Sequence, residues 1–286
     1  MNRLGVQVPE CLTLPVPYDA AWMRWYLEAH AVPGVERYDA DGYTRTVLLT
    51  GGPALVSLRL GDDVGVGLRL TQQTDRAEAI ATVRRLLDLD SDGRAADLAL
   101  GADPALAVTV AQAPGVRVPG VVDGWELLLR TMVGQQISLA AVRTHLGRLV
   151  VSLGRAVGDP AEGWRLMPTA EAVAEHGAEV LTGPGRRVAA VVGAAAAVAG
   201  EDLVLEPDSD PVALRRSLIA LPGIGPWTAD YVVMRLCRDP DVLLSSDLVA
   251  RQGAAVLGVD LAASARWSPH RSVATMHLWR AALAAR

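Results

Sequence analysis

Apolar positions along the first third of the chain change period several times. Over "PYDAAWMRWYLEAHAV", Trp22, Trp25, Tyr26 and Ala29 recur at three- and four-residue spacing. This predicts a helix that starts near Pro17, with Asp19 as its N-cap. "RTVLLTG", "ALVSLRLGDD" and "VGVGLRL" are short, rich in Val and Leu, and separated by Gly or Asp, so they read as antiparallel strands joined by tight turns. "TDRAEAIATVRRLLDLD" returns to helical spacing, with Thr74 or Asp75 as the cap. Helix, small sheet and helix make an α+β domain over 1–93, ending at "DSDG".

From 94 to 286 the pattern is nearly all helical, and Gly, Pro, Ser or Asp stand at the breaks. Helices are predicted at 94–112, 121–134, 138–153, 169–176, 186–199, 211–220, 227–238, 247–257 and 270–284, with Asp123 capping the second. "VVGAAAAVAG" reads as a close-packed helix rather than a linker. No apolar run approaches the roughly 20 residues that cross a bilayer, and "MNRLGVQVPE" lacks the apolar stretch of a secretion signal. The expectation is a cytoplasmic, nucleoid-associated monomer without a membrane partner.

Composition narrows the chemistry. Cys11 and Cys237 stand far apart, and no Cys or His spacing suggests zinc or an iron–sulfur cluster. No cofactor and no catalytic metal are therefore expected. The chain contains no Phe, and all 27 of its basic residues are Arg, so a lysine nucleophile is excluded. The net charge of −5 argues at first against a nucleic-acid partner, but it is unevenly spread. Residues 1–113 carry −5 and the loop "EDLVLEPDSD" another −5, while 211–286 carry +4.

That basic segment holds "LPGIGPWTADYVVMR", which follows the helical "VALRRSLIA". Helix, glycine turn and helix make a helix–hairpin–helix. Gly223 and Gly225 permit positive φ and leave the N–H groups around Ile224 uncovered. Pro226 suits the first turn of the second helix, whose N-terminus then offers free N–H groups to a DNA phosphate. The hairpin carbonyls of Ile219, Leu221 and Ile224 are candidates for a monovalent cation bridging to that phosphate. Twenty residues past Trp227, "DVLLSSDLVARQG" opens another helix at Asp247. This carboxylate is either an N-cap or a group facing the sugar that belongs to the gripped phosphate.

Five strings fall in one order: "PYDAAWM", "GVRVPGVVDGWELLLRTMVGQQIS", "LPGIGPWTADYVVMR", "DVLLSSDLVARQ" and "RWSPHRSVATMHLW". Together they resemble the helix–hairpin–helix DNA glycosylase superfamily, and within it the 3-methyladenine DNA glycosylase II (AlkA) type. The resemblance implies an N-terminal α+β domain like half of the TATA-binding fold, then two helical lobes with the active cleft between them. It implies Asp247 as the catalytic aspartate and Trp227, Tyr231, Trp279 and Tyr26 as the base pocket. Gly223, Ile224 and Gly225 are the implied DNA grip. Gln136 stands where the family inserts a side chain into the duplex, a place where an apolar wedge would fill the stack more naturally.

The implied reaction is excision of alkylated purines from double-stranded DNA after base flipping. The superfamily members that also cut the strand carry a lysine at the position of Trp227, so the chain reads as monofunctional. Two other readings stay open: a glycosylase for oxidised or deaminated purines, and a non-catalytic DNA-binding module. A carboxylate near phosphates argues against the second, because like charges repel. His30, His145, His176, His270 and His277 are scattered and carry no assigned role, and Ser272 reads as packing or a cap.

Overall fold

The computed structural model describes residues 4–285. Its N-terminal part is a five-stranded antiparallel sheet with two helices. The strands are β1 (Val8–Thr13), β2 (Glu36–Asp39), β3 (Gly42–Leu49), β4 (Gly52–Leu60) and β5 (Asp63–Leu70), in the order β1-β5-β4-β3-β2. Helix α1 (Ala20–His30) and helix α2 (Arg76–Leu87) pack Met23, Leu27, Val83 and Leu87 against Tyr43, Val56, Leu58 and Leu68 of the sheet.

The three central strands match the sequence expectation; the two edges were not anticipated. β2 is four residues of "ERYD", and β1 contains Pro9 and has no fully buried position. Short, polar or Pro-bearing edge strands carry little hydrophobic signal. Asp19 caps α1 by accepting from the N–H of Trp22 at 2.9 Å. Trp25, expected on the buried face, is 38% exposed and stacks on Trp22. Asp75 stands before α2 but makes no capping bond. Its backbone is already in the helical region after a 3-10 turn, and its carboxylate accepts from the Gly51 N–H at 3.1 Å instead.

Ten helices follow: α3 (Gly93–Gly101), α4 (Ala107–Gln112), α5 (Gly124–Val133), α6 (Leu139–Leu153), α7 (Ala170–Val180), α8 (Gly185–Ala199), α9 (Pro211–Ala220), α10 (Pro226–Leu236), α11 (Leu248–Leu257) and α12 (Arg271–Ala284). The expected single helix over 94–112 is two helices, because Pro104 has no N–H to continue the ladder. Asp103 holds the break: it accepts from the Trp267 indole at 2.6 Å and pairs with Arg266. "VVGAAAAVAG" is the helical end of α8, and Asp123 caps α5.

The helices form two cores. Helices α5 to α10 share one, centred on Leu128, Leu146, Val173, Leu218 and Val232. Helices α3, α4, α11 and α12 share the other, with Leu100, Leu106, Ala250, Trp267 and Leu278. A third cluster joins them: Trp22, Tyr26, Met234, Leu244 and Met276 are buried there, and Trp227, Tyr231 and Trp279 pack against them. A buried ionic network ties the sheet to α5. Glu126 takes two bonds from Arg45, at 2.9 and 2.8 Å, and Arg130 reaches Glu36 at 2.6 Å.

Candidate active site

The site begins at the hairpin between α9 and α10. Gly223 lies at φ +82°, and a Cβ there would stand 2.5 Å from the Cβ of Ala190 on α8. Both the backbone conformation and the contact require glycine. Gly225 differs from the expectation. It sits at φ −91° and ψ 174°, ordinary extended backbone, and an added Cβ would meet no atom within 4 Å. Its lack of a side chain leaves the first N–H groups of α10 without a side-chain cap, and Pro226 takes the first turn. Ile224 is 5% exposed and anchors the turn in the core, and its N–H, expected to be free, donates to the Leu221 carbonyl at 3.2 Å.

A residue that the sequence did not single out braces this hairpin. Gln135 Nε2 donates to the Gly223 carbonyl at 3.2 Å and to Thr228 Oγ1 at 3.0 Å. The Gln135 carbonyl in turn accepts from Arg187 at 3.0 Å. Its neighbour Gln136 is exposed in the α5–α6 loop, at φ +61°. The pair "QQ" thus splits into an inward brace and an outward side chain.

Along α10, Trp227 and Tyr231 are four apart and lie on one face. Their rings stack at 5.4 Å with 5° between planes, and the Trp279 ring from α12 is 6.3 Å from Tyr231. Tyr26 comes from behind. It is 3% exposed, its hydroxyl lies 3.0 Å from that of Tyr231, and its ring stacks on His30. Burial holds the Tyr26 phenol well above its ordinary pKa, so it stays neutral.

Asp247 is the N-cap of α11 and also the hub of the aromatic group. Its Oδ1 accepts from the Ala250 N–H at 2.8 Å and from the Trp279 indole at 2.9 Å. Its Oδ2 accepts from the Trp227 indole at 3.1 Å. Among the described residues no cation forms an ion pair with it. Close packing of α11 on α12 allows this. At Gly253 a Cβ would stand 1.8 Å from the Leu278 carbonyl oxygen, so a side chain there would push Asp247 away from Trp279.

Other candidate groups lie outside the cluster. His277 is fully buried, neither ring nitrogen has a partner among the described residues, and burial holds its pKa down near 4. It is a neutral filler of α12. Ser272 bonds the backbone of Asp239 and Val242, fixing α12 to the loop before Asp247. No group of three His, Cys, Asp or Glu side chains among the described residues is arranged for a metal. No helix among them is long and apolar enough to cross a membrane by itself.

Comparison with known proteins shows the family of the chain. The family described as AlkA N-terminal domain matches residues 11–123. The chain is 41% identical over 278 residues to a probable bifunctional transcriptional activator/DNA repair enzyme AlkA of Mycobacterium tuberculosis, covering 94% of this chain but 56% of that relative. It therefore spans just over half the length of that protein. With DNA-3-methyladenine glycosylase 2 of Escherichia coli it shares 30% identity, over 92% of this chain and 94% of the relative. A 3-methyladenine DNA glycosylase from Archaeoglobus fulgidus has the same fold, with a TM-score of 0.81 at 17% identity, over 96% of this chain and 98% of that one. A hairpin with an uncapped helix end, an aromatic stack and a carboxylate held by two indoles thus stand in a chain that belongs to the AlkA-type 3-methyladenine DNA glycosylase II family.

Proposed function

We propose that this protein excises alkylated purines from double-stranded DNA and leaves an abasic site in an intact strand. The observation that carries the reading is Asp247. Both its oxygens are aimed by neutral indole N–H groups beside a stacked aromatic pair, and no cation among the described residues pairs with it. A mere cap needs one oxygen; here the second is held as well.

The uncapped start of α10, with Gly223 and Gly225, receives a backbone phosphate. The carbonyls of Ile219, Leu221 and Ile224 suit a monovalent cation, which takes oxygen ligands; Ile219 lies at the end of α9, where carbonyls lose their helical partners, and the Leu221 carbonyl, which accepts from the Ile224 N–H, keeps a second lone pair. Such a cation would add positive charge beside the phosphate. The exposed side chain of Gln136 enters the duplex and offers hydrogen bonds to the orphaned base opposite the lesion. The flipped base stacks against Trp227, Tyr231 and Trp279. A purine methylated at N3 or N7 is cationic, and indole faces attract it by roughly 1–2 kcal/mol.

The bond between the sugar C1′ and the base then breaks, and its electron pair leaves with the base. Positive charge grows on the sugar, where the Asp247 carboxylate stabilises it. Water adds to C1′, and its proton passes to Asp247 or to solvent. No lysine is present to attack C1′, so the strand stays closed.

The test uses duplexes that each carry one defined lesion: 3-methyladenine, 7-methylguanine, hypoxanthine or 8-oxoguanine. Free base should appear from the methylated purines, with strand breaks only after alkali. Borohydride should trap no enzyme–DNA adduct. Release of 8-oxoguanine alone, or a trapped adduct, would overturn the reading.

A further inference from the structure

One turn past Tyr231, on the same face of α10, stands Arg235. Its side chain is buried behind the aromatic pair. Nε donates to the Pro119 carbonyl at 2.7 Å, Nη2 to the Gly120 carbonyl at 2.6 Å, and Nη1 to the Tyr231 hydroxyl at 2.9 Å. The guanidinium carbon lies 5.1 Å from the Tyr26 ring centre and 5.4 Å from that of Tyr231. Among the described residues no carboxylate forms an ion pair with it. Other arginines are handled differently: Arg45 and Arg130 sit against Glu36 and Glu126, and Arg117, buried without an ion pair, acts on the Asp88 and Asp97 carboxylates.

An unpaired buried charge is costly. Three neutral oxygens and two ring faces offset the cost without cancelling the charge. Its field therefore reaches the cleft on the other side of Tyr231.

We propose that Arg235 is a specificity-determining residue of the pocket: its uncompensated charge behind Tyr231 weakens the holding of cationic bases and promotes departure of any base already bound. The inference rests on the excision reading above. When the glycosidic bond breaks, the electron pair goes to the base. A cationic base becomes neutral, a neutral base becomes an anion, and the sugar gains the positive charge. In both cases the base becomes more negative by one charge. A fixed cation on the base side favours that change, as Asp247 does on the sugar side. Before the bond breaks, the same cation repels a methylated, cationic purine and is nearly indifferent to a neutral one. It also occupies part of the ring quadrupole that would otherwise attract the cationic base.

The two effects separate in single-turnover excision on duplexes containing 7-methylguanine (cationic) or hypoxanthine (neutral). Two quantities are read: the rate constant at saturating enzyme, and the enzyme concentration that gives half of it. At an effective dielectric constant of about 20 and ~8–10 Å the pull on the base alone is worth ~15- to 35-fold, repulsion of the more distant sugar cation cancels over half of that energy, and removing the charge should slow the saturated rate by ~3- to 5-fold. Arg235→Gln should show that loss on both duplexes. It should also lower the half-saturating concentration for the 7-methylguanine duplex and leave that for hypoxanthine unchanged. Arg235→Lys keeps the charge but loses the planar fork, and should restore saturated rates to close to the parent's, within about 1.5-fold.

Lysine and glutamine variants that are equally slow would overturn the charge role, as would equal shifts in half-saturation on both duplexes. Failure of both variants to fold, read by circular dichroism, would make Arg235 structural and would also overturn it. A parent protein that releases neither base would overturn the excision reading itself.

Discussion

Replacing Asp247 by Asn keeps the side chain's shape and removes its charge. The structure shows which contacts survive. The amide oxygen can take the place of Oδ1 and keep the bonds from the Ala250 N–H and the Trp279 indole. The amide NH2 then replaces Oδ2 and faces the Trp227 indole N–H, donor against donor, across 3.1 Å. One hydrogen bond is lost and a half-buried donor is stranded, a cost of about 1–3 kcal/mol in stability. Loss of the charge beside a sugar cation is a separate and larger effect, several kcal/mol in a water-poor cleft, so excision should fall by about a hundredfold or more. Thermal melting measures the first quantity and single-turnover base release the second. The double variant Asp247→Asn/Trp227→Phe separates them: removing the opposing indole N–H should recover stability while excision stays low. Recovery of excision along with stability would show that Asp247 acts only as a brace, and would refute the electrostatic role.

Gly225→Val should leave the melting temperature nearly unchanged, since an added Cβ meets nothing, yet weaken duplex binding with or without a lesion; Gly223→Val should instead lose stability through its positive φ and its contact with Ala190. Binding to undamaged duplex should be weak and fall steeply with added salt, as counterion release requires, and a flat salt titration would exclude a phosphate grip. Glu126→Gln should destabilise the fold by about 3–5 kcal/mol in denaturant titration, because Arg45 and Arg130 lose a shared partner in a buried network. Asp88 is held up near pKa 6 by burial, so the folded state binds its proton more tightly than the unfolded state does. Its ionisation costs nothing below about pH 4 and up to about 3 kcal/mol above pH 6, and Asp88→Asn should stabilise the protein at pH 8 but not at pH 4.

Most of the fold was legible because its helices are amphipathic and its central strands are apolar. What was missed had no such signal. β1 and β2 are edges, and the break at Pro104 was overridden by the helical spacing on either side of it. The hairpin and the position of Asp247 could be read from "LPGIGPWTADY" and "SSDLVARQG", while the grouping of Trp227, Tyr231, Trp279 and Tyr26 was expected only from the resemblance to a known family. Gln135, Arg235 and the Glu36–Arg45–Glu126–Arg130 network could not. Each depends on partners far away in sequence: Gly223 for Gln135, Pro119 and Gly120 for Arg235, Glu126 for Arg45. Only for Arg235 was there a local hint, its spacing of four from Tyr231 on an otherwise apolar helix face.

Capping and the catalytic role proposed above, posed as alternatives by the sequence, fit one arrangement at Asp247. The cap fixes Oδ1 against the first turn of α11, where the helix end favours a negative charge. With that oxygen anchored, the second can turn only within a narrow arc, and the Trp227 indole holds it there. Both indoles are neutral donors, so they orient the carboxylate without spending its charge, as an arginine or lysine partner would. The carboxylate thus stays available for the sugar cation that the proposed excision would form. Gly253 makes the arrangement possible from a distance by letting α11 approach α12 closely enough for Trp279 to reach Oδ1. Gly253→Ala should therefore reduce excision by more than its loss of stability explains. A variant that melts lower but, while still folded, excises at the parental rate would show that α11 and α12 need not be this close for Asp247 to work.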